Sequence, residues 1–354
     1  MEKNKSKKGE KVMKVVLIVF LTIVILFGVA YAACCGKTGS YYNDDGTYKH
    51  ISKNNSYSYA INHPALDEFG KWILPWNDNF LAKITSPLRI NFLMPMLIQV
   101  DVDNVIDGYN FVIDQANENK ENMFYSYYSD ADIEKDASKA DTGLVFLRGN
   151  ENAPFALVCP GGAFISVEAN HEGYPVAKRL HDKGYNVFIL RYRVQGSYEN
   201  ADNINVPENC ACDAGTALKW IFDNADDLNV STDNYSLWGF SAGGYIVGSL
   251  GNQDEKNGYA SLGLSEPAAV IMGYPALPDG YETSKSNTFI AMCEDDELIP
   301  FNDVKSKAET VKANGAIVEM DVYPQGGHGF GSGVGTKQDG WMDKATDFWE
   351  AQYN

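Results

Sequence analysis

The sequence predicts an α/β fold, a mostly parallel central sheet with helices on both faces, preceded by a transmembrane helix and a small helical cover. Two patterns carry the prediction. From Phe124 onward, short apolar runs alternate with helical stretches of ten or more residues, which is the mark of βαβ units. Within that alternation, Ser236-Leu237-Trp238-Gly239-Phe240-Ser241-Ala242-Gly243-Gly244-Tyr245 reads as a buried strand turning at once into a helix that begins near Ala242. The first two strands have no helix between them, which predicts an antiparallel edge.

Taken in order, residues 1–14 hold six lysines and two glutamates and read as a basic cytoplasmic segment. Val15 to Ala33 is nineteen residues without a charge, close to the roughly 20 that cross a bilayer as a helix. The basic flank stays inside, so the rest is expected outside the cell on a single-pass signal anchor. Ala30-Tyr31-Ala32 also offers small residues at a cleavage spacing, which would make the run a signal peptide and the protein secreted. The length of the run favours the anchor. Residues 34–58, rich in Asn, Asp, Ser, Gly and Tyr, are expected as a polar spacer. Residues 59–123 are expected as a helical cover, with apolar stretches over Leu88–Val100 and Val105–Ala116. Trp72 and Trp76 in that segment read as packing residues, with a sugar-stacking platform as the alternative.

Residues 124–354 form the α/β region. Strands are expected at Phe124–Tyr128, Gly143–Arg148, Phe155–Cys159, Asn186–Tyr192, the run entering Ser241, Ala268–Tyr274, Thr288–Cys293 and Val318–Tyr323. Helices are expected at Glu172–Lys183, Pro207–Asn224, from Ala242, and at Asn302–Asn314 and Gly340–Gln352. The net charge is −18, and an acidic body offers nucleic acid no footprint, so that partner is set aside. The six cysteines show no metal-ligand spacing with histidine, and no metal or cofactor is expected. Cys159 and Cys293 read as small buried hydrophobes at strand ends, while the redox state of Cys210 and Cys212 stays open.

The strand–turn–helix at Ser241 is the setting in which Gly-x-Ser-x-Gly carries chemistry. Gly239 and Gly243 leave room for a tight turn that raises the serine hydroxyl above the sheet edge. A serine hydroxyl needs a base, and the base needs an orienting acid, which in such folds follow the serine in the order acid, then histidine. Of the five histidines, His50, His63, His171, His181 and His328, only His328 lies beyond Ser241, in a glycine-rich loop after a strand. The strand between them ends in Glu294-Asp295-Asp296-Glu297, four carboxylates of which most must be solvated. An oxyanion hole needs backbone donors, and Cys159-Pro160-Gly161-Gly162-Ala163-Phe164 supplies the amides of Gly162 and Ala163 to join that of Ala242.

Together these residues resemble the α/β-hydrolase superfamily from about Phe124 to the C-terminus. The Pro-Gly-Gly-Ala-Phe segment is similar to the His-Gly-Gly-Gly loop of the lipase/esterase branch, with Pro160 in place of its histidine as in many bacterial acetylesterases and hemicellulose side-chain esterases. Glu172-Gly173-Tyr174-Pro175 and Leu190-Arg191-Tyr192-Arg193 resemble the same group. So does Asp-x-x-Ile-Pro, where the resemblance puts the triad acid on Asp296, with Asp295 as the runner-up. It implies a serine carboxylesterase of the acetylesterase kind with Ser241, His328 and Asp296 as triad. The expected partner is a small ester, with acetylated oligosaccharide favoured. A serine peptidase of the same superfamily and a catalytically silent surface-binding module are the alternatives. About thirteen residues separate Ala268–Tyr274 from Thr288–Cys293, too few for a helical lid, and this predicts a short acyl pocket.

Overall fold

The alternation expected from Phe124 is present in a computed structural model that describes residues 28–72, 80–97, 100–118, 122–198 and 204–353. Its strands are β1 (Phe124–Tyr125), β2 (Gly143–Leu147), β3 (Pro154–Cys159), β4 (Asn186–Arg191), β5 (Ser231–Phe240), β6 (Ala269–Gly273), β7 (Thr288–Cys293) and β8 (Val318–Tyr323). They form one eight-stranded sheet in the order β1-β2-β4-β3-β5-β6-β7-β8. β1 and β2 pair antiparallel, as does β2 with β4, and the remaining pairs are parallel. Successive strand residues point to opposite faces, so the uniform burial of β2, β6 and β7 means that both faces of the sheet are covered. β8, the outermost strand, is more open: only Val318 is buried along it.

The helices that bear on the site are α1 (Ile90–Leu97), α2 (Val102–Glu118), α3 (Ala169–Glu172), α4 (Tyr174–Asp182), α5 (Val206–Asp223), α6 (Ala242–Leu250), α7 (Phe301–Ala313) and α8 (Trp341–Glu350). The single helix expected over Glu172–Lys183 starts three residues early and is interrupted at Gly173. Pro175 has no N–H for the carbonyl four residues back, so a new helix starts with it in the first turn. α8 docks on the sheet through Trp341 and Trp349, which are fully buried with Trp238 of β5. Their indole N–H groups donate to Gly331 O at 3.1 Å and to Asn234 O at 2.8 Å. Each buried indole therefore keeps a polar partner while it fills the core.

Residues 34–58, expected as a spacer, are packed instead. Ile51 and Tyr57 are buried, and Arg89 N–H donates to Cys34 O at 2.9 Å. Two asparagines two turns apart on α2 each close a ring with this segment. Asn110 accepts from Ile51 N–H at 2.8 Å and donates to Ile51 O at 3.0 Å, and Asn117 does the same for Tyr48 at 2.7 and 3.1 Å. In these two rings the segment offers only its backbone, and the polar side chains that satisfy it come from the helix. α1 and α2 are the two apolar stretches expected in the cover, and α2 packs on α3 and α4. It also reaches the C-terminal loops, where Asn104 Nδ2 donates to Ser332 Oγ at 3.0 Å. Of the run expected to cross the membrane, residues 15–27 lie outside the described residues. Among the described residues no helix is long and apolar enough to cross a membrane. Trp76 and the side chain of Trp72 also lie outside them.

Candidate active site

Register assembles the site at one edge of the sheet. Cys159, the last residue of β3, pairs with Gly239, and Cys293, the last of β7, pairs with Tyr323, the last of β8. The loops that leave β3, β5, β7 and β8 therefore open together at the carboxyl ends of parallel strands, where open α/β sheets hold their ligands.

Ser241 joins β5 to α6 with φ 50° and ψ −117°, outside the regions that an L-residue favours. The turn closes because its neighbours lack side chains: a Cβ on Gly243 would lie 1.9 Å from Cys159 O, and one on Gly239 2.3 Å from Gly243 O. Backbone bonds fix the strained residue, with Ser241 N–H donating to Gly273 O at 3.1 Å and Ser241 O accepting from Gly244 N–H at 2.9 Å.

His328 stands between Ser241 and Asp296. Its Nε2 is 2.8 Å from Ser241 Oγ, and its Nδ1 is 2.8 Å from Asp296 Oδ2. A carboxylate only accepts, so Nδ1 carries the proton and Nε2 is left to accept the serine hydroxyl. The Asp296 side chain is fully buried and the His328 side chain 14% exposed. Asp296 Oδ1 accepts from Leu298 N–H at 2.9 Å and Ile299 N–H at 2.8 Å. Burial pushes the Asp296 carboxyl up, but hydrogen bonds from His328 and from these amides outweigh it and hold it below the usual carboxylate range.

Asp295 does not touch His328. It is exposed, yet Oδ1 accepts from Gly326 N–H at 2.9 Å and Gly327 N–H at 2.8 Å. The two adjacent aspartates thus divide the work: one meets the imidazole, and the other ties down the loop that carries it.

The loop after β3 passes through three successive positive φ values, 123° at Gly162, 54° at Ala163 and 61° at Phe164. Such a run departs from both strand and right-handed helix, and so takes the loop's N–H groups out of regular pairing. The N–H groups of Gly162 and Ala163 take no backbone partner among the described residues, and Ala242 opens α6, where the first amides have no intrahelical acceptor. Gly161 N–H is different, because it is engaged by Glu172 Oε2 at 2.6 Å. Phe164 meets Tyr245 of α6 edge-on at 5.6 Å. Among the described residues no group of histidine, cysteine, aspartate or glutamate is arranged to hold a metal ion. Cys159 and Cys293 are fully buried, as strand-end hydrophobes should be, and Cys210 and Cys212 are free thiols.

Two residues that hold this geometry were not among the sequence candidates. Tyr192 OH donates to Pro160 O at 2.7 Å, and Tyr274 OH donates to Glu172 Oε1 at 2.8 Å. Both are ordinary core tyrosines by pattern. Only the polar ends distinguish them, and those meet partners far away in the chain.

Sheet order, strand–serine–helix turn and loop placement are those of the α/β-hydrolase fold, as the sequence resemblance implied. The family model that matches is BD-FAE, over residues 146–267, a stretch that includes the Gly162 loop and Ser241 and stops short of Asp296 and His328. An endo-1,4-beta-xylanase B of Butyrivibrio fibrisolvens is 26% identical over 209 residues, covering 49% of this chain and 32% of that protein. An acetylxylan esterase of Xylanibacter ruminicola is 24% identical over 219 residues, covering 54% of this chain and 44% of that protein. The match thus spans less than half the length of either curated relative. A thermophilic esterase of Thermogutta terrifontis, solved with propionate bound, superposes with a TM-score of 0.52 at 19% identity, covering 64% of this chain and 93% of its own.

Proposed function

We propose that the protein is a serine esterase that hydrolyses short-chain esters, acetate first, outside the cell and on acetylated carbohydrate. The observation that carries this is the unbroken contact from Asp296 to His328 to Ser241, 2.8 Å at each step. In the first half of the reaction Ser241 Oγ attacks the ester carbonyl carbon while His328 Nε2 takes its proton. The carbonyl oxygen becomes an oxyanion held by the N–H groups of Gly162, Ala163 and Ala242. Collapse breaks the carbon–oxygen bond to the alcohol, which leaves with the proton from His328, and Asp296 steadies the imidazolium in between. Water, deprotonated by His328, then attacks the acyl-enzyme and releases the acid.

The short acyl preference is supported by the link between β6 and β7, which holds one three-residue turn, Tyr281–Thr283, and no lid helix. A long acyl chain left in water forfeits about 0.8 kcal/mol of binding per methylene. Carbohydrate is favoured because the matched relatives are named as a xylanase and an acetylxylan esterase. Export rests on the lysine-rich start and the uncharged run from Val15 to Ala33. The test is kcat/KM for p-nitrophenyl acetate, butyrate and octanoate, followed by acetate release from acetylated xylo-oligosaccharides. The rate should fall along the series. A rate that climbs toward octanoate would contradict the short pocket, and no acetate release from any sugar would remove the carbohydrate.

A further inference from the structure

Glu172 closes α3 and is 2% exposed, and both of its oxygens are used. Oε2 accepts the Gly161 N–H at 2.6 Å, and Oε1 accepts the Tyr274 hydroxyl at 2.8 Å. The Tyr274 oxygen in turn accepts from Gly331 N–H at 2.9 Å. One carboxylate thus links the loop before Gly162 to the loop that follows His328. The Tyr274 ring also stands edge-on to the His328 imidazole, with centroids 4.7 Å apart. Tyr274 has φ 37°, a value that a bulky residue holds only when its surroundings over-determine it.

The first of these bonds acts at a particular place. Pro160 C=O and Gly161 N–H belong to the same peptide unit. Tyr192 OH holds the carbonyl end at 2.7 Å, and Glu172 holds the N–H end. A planar unit pinned at both ends is held against rotation. The next two units, which carry the Gly162 and Ala163 N–H groups, are held at their carbonyls, Gly161 O by Tyr192 OH at 3.2 Å and Gly162 O by the N–H groups of Ile165 and Ser166 at 3.0 Å. Burial raises the Glu172 carboxyl, but His171, Tyr274 and the Gly161 N–H outweigh it, and the group stays an acceptor.

We propose that Glu172 is a positioning residue that fastens the oxyanion loop and the His328 loop to one another through its two carboxylate oxygens, with Tyr274 as the relay. The inference rests on the Ser241 esterase reading. Its test is p-nitrophenyl acetate hydrolysis by Glu172→Gln, Tyr274→Phe and the double variant, each normalised to the sites titrated by an organophosphonate. Glu172→Gln sets an amide N–H against a donor, and kcat should fall about 10²-fold with KM nearly unchanged. Tyr274→Phe should lower kcat about 10-fold, and the double variant should be no worse than Glu172→Gln alone, as members of one chain are coupled. Unchanged kcat per titrated site in Glu172→Gln, or a loss confined to KM, would overturn the proposal. If that variant does not fold, Tyr274→Phe decides, and full kcat there would overturn it. A wild-type protein inactive on every ester would overturn the esterase reading and this inference with it, whereas an active wild type matched by both variants overturns this inference alone.

Discussion

Ser241 is strained, and His328 and Asp296 are hydrogen-bonded to it in series, so each makes a distinct prediction. Ser241→Ala keeps the turn and removes the proposed nucleophile; activity should fall at least about 10⁴-fold while the thermal midpoint stays put. Asp296→Asn should cost about 10⁴ in kcat, because an amide can present the wrong face to His328 Nδ1. Asp295→Ala frees the amides of Gly326 and Gly327 and should lower kcat by about tenfold, short of the loss in Asp296→Asn. Steady-state kinetics on the two aspartate variants checks this, and a reversed order would put the triad acid one residue earlier. The contact between Ser241 and His328 was legible because each stands alone in its setting, one in a turn that demands glycines and one as the single histidine beyond it. Which carboxylate meets His328 was not separable from the residues alone, since Glu294 to Glu297 differ only in where the chain turns after β7. Glu172 and Tyr274 were illegible as a pair, because the bond between them spans 102 residues.

At the scale of elements, strands buried on both faces read clearly, since unbroken apolar runs have few other uses in an α/β chain. The break at Gly173 was readable in principle from Pro175, but propensity alone does not say whether a proline ends one helix or starts another. The packed state of residues 34–58 was not readable, because nothing local shows that Asn110 and Asn117 will meet their backbone groups. The turn between β5 and α6 makes a sharp element-level prediction. Gly243→Ala drives a methyl into Cys159 O and should destabilise the fold by about 3 kcal/mol. Gly196→Ala, where an added Cβ meets nothing within 4 Å, should leave stability unchanged. Urea midpoints compare the two, and equal midpoints would mean that the turn is looser than its geometry.

For the whole molecule, stability should depend on pH from both sides. Asp296 and Glu172 have folded values below their unfolded ones, so their contributions are present above about pH 4 and lost as pH falls through the folded values. Burial lowers His171, but Glu172 and Glu168 outweigh it and raise the imidazole. Its contribution is therefore full below about pH 6.5 and lost as pH rises through the folded value. The thermal midpoint should peak between these limits, and a midpoint flat from about pH 3 to 9 would contradict the network. The expected anchor is tested by whether full-length protein sediments with membranes. A released form with a new N-terminus near Ala33 would replace the anchor with a signal peptide. The central claim is that one serine per chain does the chemistry, and intact-protein mass after an organophosphonate probe tests it most directly. The account predicts a single adduct per chain, mapped to Ser241, with hydrolysis of p-nitrophenyl acetate lost in proportion. An adduct on another residue, or full turnover by the labelled protein, would contradict it.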